Sequence, residues 1–315
     1  MSTGTIKRDS FSLWFKKNII KYRFFHLLAL PGIIYFILFK YVPILGLSIA
    51  FKDYNGMGGI EGIINAPWVG LDNFRDLFSS PSFFKLLRNT LVISLMRLFW
   101  GFPMPIIFAL MLNEVRKKRF KNIVQTITYM PHFLSWVIVS GLAVMLLSPS
   151  SGPLVPLFDF FHIKPINFLG STDTFRGVLV ASSIWKDLGW GTIIYLAAIS
   201  GISQDQYEAA RIEGASRFQK TRYITLPSIK FVITIFFILR VGKIINENFE
   251  QIFNMYSPVV YSVSDVFETY IYRRGIIGAD YSFTTAAGLF KSFVSLALVI
   301  ITNKVAKLLG EDGIW

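Results

Sequence analysis

Six long apolar stretches, at 27–51, 89–113, 123–147, 176–200, 229–246 and 283–303, constrain this chain more than any other feature. Crossing the hydrocarbon of a bilayer takes about 20 mostly apolar residues per helix. A backbone in lipid must satisfy its own polar groups, and the ten-residue alternating segments of a barrel are missing, so each stretch reads as a helix. The expected fold is all-α and polytopic, with six transmembrane helices. Composition fits little else: 53% of the 315 residues are hydrophobic and 16% charged, whereas a soluble domain carries about 25% charged residues. Disorder requires low hydrophobicity. With no cysteine, a disulfide framework, a thiolate metal site and a cysteine nucleophile are all excluded.

The connections between the stretches alternate in charge. One set is basic, with Lys7, Arg8, Lys16 and Lys17 before the first stretch, Arg116, Lys117, Lys118, Arg119 and Lys121 against Glu114 after the second, and Arg211, Arg217, Lys220 and Arg222 after the fourth. The other set, 52–87, 148–175 and 247–282, carries more acids than bases, among them Asp53, Asp72, Asp159, Asp173, Glu250 and Asp265. Basic connections stay in the cytoplasm, so the chain is expected in the cell membrane with both termini cytoplasmic. The net charge of +13 then reflects topology and attraction to anionic headgroups of the lipid bilayer. Because the bases are divided among separate loops, no nucleic-acid partner is expected.

Along the chain, 1–26 reads as a cytoplasmic amphipathic segment, with Phe11, Trp14, Phe15 and Ile19 among the bases. The first span and an external loop fill 27–87, and the loop is apolar enough to pack as short helices. The other five spans form a core at 88–306, and 307–315 is a cytoplasmic tail. The first apolar run follows a charged tail and lacks a small-residue cleavage pattern, so it is expected to remain as a span. Prolines interrupt the first span at Pro31 and Pro43 and the second at Pro103 and Pro105, where a static kink is the expected result. The histidines His26, His132 and His162 lie in separate segments without ligand spacing, and no hydrolase or nucleotide-binding motif appears. No catalytic residue and no metal site is expected; the chain does not read as an enzyme.

One connection differs in kind. Tyr207–Glu213 favours a helix that stops at Gly214, where a left-handed cap costs little. Ala215-Ser216-Arg217-Phe218 restarts a second helix, expected to end at Pro227 before the next span. Ala209, Ala210, Gly214 and Ala215 offer a surface of small side chains that a partner can approach closely.

Those residues carry a resemblance. Glu208-Ala209-Ala210, three residues, Gly214, nine residues, then Ile224-Thr225-Leu226-Pro227 resembles the loop of permease subunits in binding-protein-dependent ABC importers. Trp68–Phe74 looks like the external segment of sugar-type permeases, and Tyr195–Ile199 with the tail Leu309–Trp315 like the subgroup handling alginate and other polysaccharide fragments. The resemblance implies the type I ABC importer permease fold, a second homologous permease, a dimer of ATPase subunits holding ATP and Mg, and an extracytoplasmic solute-binding protein. It also implies that Glu208 meets a basic residue of the ATPase, Ala209 the tight contact, and Gly214 the bend. Cofactors are implied on those partners and none in this chain.

Within the spans, Lys186, Asp187 and Arg97 are hard to excuse, since a charge at a helix centre costs about 2.5–3.5 kcal/mol on insertion scales and usually faces a pathway or a partner. Trp185, Lys186, Asp187 and Trp190 are therefore substrate-pathway candidates, extended by Asn246, Asn248, Glu250 and Gln251. An ion pair holding helices together, with interfacial aromatics, explains the first four equally well. Basic residues along the route suit an acidic oligosaccharide. The rival reading is an ion-coupled secondary transporter, which needs dedicated midplane ion ligands; Asp187 alone is a poor one, and the loop would go unexplained.

Overall fold

The computed structural model describes residues 21–246, 249–311, 313 and 314. Most of the expected amphipathic segment 1–26, and the candidate Asn248, lie outside the described residues. The described chain is helical almost throughout: α1 (Arg23–Phe51), α2 (Gly59–Asn65), α3 (Asp72–Ser79), α4 (Phe83–Asn113), α5 (Lys118–Phe133), α6 (Trp136–Leu146) and α7 (Val155–Phe160) are followed by α8 (Phe175–Ser200), α9 (Gln204–Ile212), α10 (Arg217–Gly242), α11 (Phe249–Met255), α12 (Tyr261–Ser264), α13 (Phe267–Ile271) and α14 (Tyr281–Leu308). Among the described residues, strand character is confined to one isolated bridge between Lys52 and Trp68.

All six apolar stretches are helical, but they do not qualify equally as spans. α1, α4, α10 and α14 are long and apolar enough to cross a membrane. The third stretch is broken: α5 and α6 meet at 103°, because Pro131 sits at the break and Leu134 and Ser135 are extended. The fourth, α8, has 26 residues and so about 39 Å of length, yet Lys186, Asp187 and its glycines leave it less apolar than the others. The count by length and composition is thus four, or five with the bent pair.

Three of the prolines follow a wider turn of helix. A π turn precedes Pro43 (Ile37–Tyr41), another Pro103 (Arg97–Gly101) and a third Pro227 (Thr221–Thr225). Proline lacks the N–H that would bond four residues back, and its ring crowds that carbonyl. One wider turn, with bonds such as Phe102 N–H to Arg97 O (3.2 Å), absorbs the mismatch and lets the span continue. The helix starting at Arg217 therefore does not end at Pro227; Leu226 and Pro227 lie inside the 26-residue α10.

Three apolar clusters hold the helices. One joins α3, the start of α4, the end of α10 with the turn after it, α13 and α14 through Leu77, Phe83, Leu86, Val241, Ile245, Phe267 and Phe283. A second gathers α6, the first half of α8 and the 249–266 segment around Val139, Phe175, Leu179, Ile252 and Val266. The third, Ile106, Ala109, Tyr195, Ile199 and Ile229, packs α4, α8 and α10 beside the 201–216 loop. α1 has 6% of its apolar window buried within the chain; only its last turn, Gly46–Phe51, packs on α14 and buries Ala50.

The segment after α10 is not a simple external loop. Its short helices wedge between the clusters, burying Gln251, Ile252, Ser264, Phe267 and Thr269. Three of its acids are paired internally: Asp265 with Arg273 (2.7 Å), Asp280 with Arg274 (2.7 Å) and Glu268 with Lys291 of α14. Much of the acidity read along 247–282 is therefore neutralised inside the fold. The 52–82 region does form short helices, pinned where buried Lys52 donates to Ile63 O and Ile64 O at 2.8 Å each.

Candidate coupling loop and translocation cavity

The 201–220 loop is capped at every helix end by its own residues. Ser203 caps α9, its hydroxyl accepting the Asp205 N–H (3.2 Å). With Asp205 in the first turn and Arg211 in the last, the charges complement the helix dipole. At the other end Gly214 adopts φ +79°, Ala215 N–H bonds to Ala210 O (2.9 Å) and Gly214 N–H to Arg211 O (3.1 Å), the paired bonds of a Schellman ending. Two residues on, Ser216 and Gln219 form a capping box, with Ser216 N–H to Gln219 Oε1 at 2.7 Å and Gln219 N–H to Ser216 Oγ at 3.3 Å. Neither Ser216 nor Gln219 figured among the sequence candidates, although the Ser-x-x-Gln spacing is a local signal for a helix start.

Two contacts tie the loop to the spans. Tyr207 Oη lies 2.9 Å from the buried Thr225 Oγ1 at the π turn of α10, and Arg217 lies 3.8 Å from Glu114 at the end of α4. The rest of the loop is open. Glu208, Ala209 and Gly214 are exposed, while Ala210, Ala215 and Leu226 are half-buried and Pro227 is exposed. Ile212 is 87% exposed, beside exposed Phe218 and Tyr223. A hollow lined by Ala209, Ala210, Glu213, Ala215 and Tyr223 lies between α9 and the start of α10.

The structure separates the pathway candidates. Asp187 and Trp190 line a cavity of 210 Å³ with Ser183, Arg240 and Tyr195, between α8, the proline segment of α4 and α10. Trp185 faces the other way, into an apolar cavity of 700 Å³ between α6 and α8. Lys186 is buried, its ammonium donating to His132 O (2.5 Å), Leu134 O (2.7 Å) and Pro131 O (3.5 Å). Lys186 and Asp187 are thus not paired with each other; Asp187 Oδ1 lies 3.1 Å from His132 Nδ1. Asn246 donates to Ser295 Oγ (2.9 Å), and Glu250 is exposed. Gln251 is fully buried, donating to Leu179 O (2.7 Å) and Ser182 Oγ (2.8 Å) and accepting from Arg97 (2.5 Å). It braces α8 against α4 and α11. Sequence reasoning missed His132 and Arg240; a lone histidine has no spacing to betray it, and Arg240 resembles any basic residue near a span end.

Helical spans, a self-capped loop and a mainly apolar cavity with Ser183, Asp187 and Arg240 in its wall fit a transport permease. The chain matches the family model for the binding-protein-dependent transport system inner membrane component over residues 101–311, and it belongs to that family. It is 42% identical over 321 residues to Protein LplB of Bacillus subtilis (strain 168), covering 100% of both chains. It is 45% identical over 298 residues to the polygalacturonan/rhamnogalacturonan transport system permease protein YteP of the same organism, covering 95% of this chain and 92% of that one. Among solved structures, a chain of the bacterial alginate ABC transporter in complex with alginate pentasaccharide-bound periplasmic protein superposes with a TM-score of 0.87 at 40% identity, covering 95% of this chain and 99% of that chain. The ABC permease reading therefore stands over the ion-coupled one, and the chain is a multi-pass membrane component of transport.

Proposed function

We propose that this chain is one of two related permeases in an ATP-driven importer of acidic oligosaccharides. Cargo arrives on an extracytoplasmic solute-binding protein, both termini lie in the cytoplasm, and a dimer of ATPase subunits, carrying ATP and Mg, grips α9. The observation that carries this reading is the rigid, doubly capped α9 joined directly to α8 and α10, the two helices that wall the cavity. A lever of that kind converts closure of a partner into rigid-body rotation of the cavity walls. Glu208 presents a carboxylate to a basic residue of the ATPase, the small Ala209 and Ala210 allow close approach, and Ala215 and Gly214 set the bend. Residues 88–306 form the transport core.

The acidic cargo is supported by Arg240 in the cavity wall and by the acidic polysaccharides named for relatives. Trp190 supplies an indole face for a sugar ring, and Asp187 and Ser183 supply polar atoms for hydroxyls. The test is reconstitution of the whole complex in vesicles with labelled oligogalacturonate, labelled alginate oligomers or neutral maltooligosaccharides. ATP-dependent uptake of an acidic probe, lowered in Asp187→Asn and Trp190→Ala and kept in Trp185→Ala, is the expected result. Uptake driven by an ion gradient without ATP would remove the reading.

A further inference from the structure

The break between α5 and α6 poses a problem of hydrogen bonding. The last carbonyls of any helix lack helical partners, and in a bilayer each unsatisfied one costs several kcal/mol. Pro131 begins the last turn of α5, and the chain then runs extended through Leu134 and Ser135. The ammonium of Lys186, from the middle of α8, fills the gap at the carbonyls of His132 and Leu134, and at longer range reaches that of Pro131, which already accepts the Leu134 N–H (3.1 Å). An ammonium has three N–H donors, so all three are engaged and none is left for a sugar. A cation at the C-terminal end of α5 also meets the negative end of that helix dipole. The ring of Trp136, which opens α6, lies 5.6 Å from the same nitrogen.

Neighbouring residues of α8 complete the joint. Trp190, one helical turn from Lys186, stacks on His132 with ring centroids 4.6 Å apart and planes 2° from parallel. Asp187 holds the other edge of the His132 ring. Gly189 sits where an added Cβ would fall 2.2 Å from Thr128 O, so the backbones of α5 and α8 touch. We propose that Lys186 is a positioning residue of the transport cycle: it fastens the broken third span to α8, so that the two turn as one body when α9 is moved. The proposal rests on the permease reading given above. Without the fastening, α8 turns but slips past the break, and the Asp187–Trp190 wall loses its backing from His132.

The experiment uses the full complex in vesicles, the binding protein and labelled oligogalacturonate or alginate oligomer. Lys186→Met is expected to lower maximal uptake at least tenfold, with KM for the loaded binding protein within twofold and ATP hydrolysis at no less than half the wild-type rate. The chain has no cysteine, so Lys186→Cys in the purified chain can be alkylated with bromoethylamine at that thiol alone before the complex is assembled, restoring an ammonium of nearly the same reach; uptake should return to at least a third. Wild-type uptake by Lys186→Met overturns the proposal, and so does a raised KM with full maximal uptake, which marks direct contact with cargo. If Lys186→Met does not assemble, the aminoethylated protein decides: assembly with uptake supports the proposal, whereas assembly without uptake, or no assembly, overturns it. A wild-type complex that shows no ATP-dependent uptake of either probe defeats the permease reading instead.

Discussion

The coupling loop and the mid-helix joint are both built onto α8, one past its end and one at its centre, yet by opposite means. The loop's caps connect residues two to five apart, Ser203 to Asp205, Ala210 to Ala215 and Ser216 to Gln219. The joint connects residues 52 to 55 apart in sequence, Lys186 to His132 and Leu134, and Asp187 to His132. The loop exposes apolar side chains; the joint buries a lysine at 7% exposure. The contrast teaches that a part offered to a partner must be stiff before the partner arrives, so its stiffness is local. A part that transmits motion inside the fold can draw its stiffness from the fold itself.

The sharpest way to break that contrast is Gly214→Pro. Proline cannot adopt φ +79° and removes the N–H that bonds Arg211 O, at a cost of about 3 kcal/mol or more. That corresponds to roughly a hundredfold loss of the docking shape, and ATP-driven uptake should fall accordingly while membrane insertion persists. Gly214→Ala should do less, about 1–2 kcal/mol, because nothing lies within 4 Å of the added Cβ and only the backbone is strained. Equal uptake in both variants would show that the loop is shaped by its partner.

Gly189→Val tests the other side. Its Cβ meets the Thr128 carbonyl and the Tyr129 ring, an overpacking that costs about 1–3 kcal/mol. The loss should appear as lowered thermal stability of the purified chain, because the strain falls on backbone shared by α5 and α8. A variant of unchanged stability would mean the break yields easily and the joint is soft.

The same difference governs what could be read in advance. The Gly214 stop, the restart after it and the six helical stretches follow from neighbours in sequence, and all appear in the structure. The role of Lys186 depends on Pro131, His132 and Leu134 lying against it, and no spacing within α8 announces that; a mid-membrane lysine reads as a pathway residue until its acceptors are seen. Pro131, inside the third stretch, breaks its span, whereas Pro227 leaves its helix running through a π turn; both are prolines within apolar stretches, and residue types alone do not tell the two outcomes apart.

Ser216→Ala refines the comparison at smaller scale. It removes the hydroxyl that accepts the Gln219 N–H, a cap substitution of about 1 kcal/mol. Fraying at the start of α10 should leave global stability within that margin while hydrogen exchange at residues 217–220 speeds up. Exchange that rises along the whole of α10 would show that the loop's rigidity is not local after all.

The smallest effect is expected at the carboxyl end, where the chain folds back on α10 through an ion pair between Glu311 and Lys230. Gly310 turns the chain at φ +78°, and the Ile314 N–H bonds to the buried Asn303 Oδ1 (2.7 Å). Lys230 is 62% exposed, so the pair contributes about 0.2–1 kcal/mol and less in salt. Lys230→Ala should shift the unfolding temperature slightly and leave uptake within twofold. Asn303→Ala, which strips a buried acceptor from a backbone N–H, should release the tail more fully. If Lys230→Ala alone uncouples hydrolysis from uptake, the tail is a brace for the loop, and the stiffness of α9 depends on a residue about 100 positions farther along the chain.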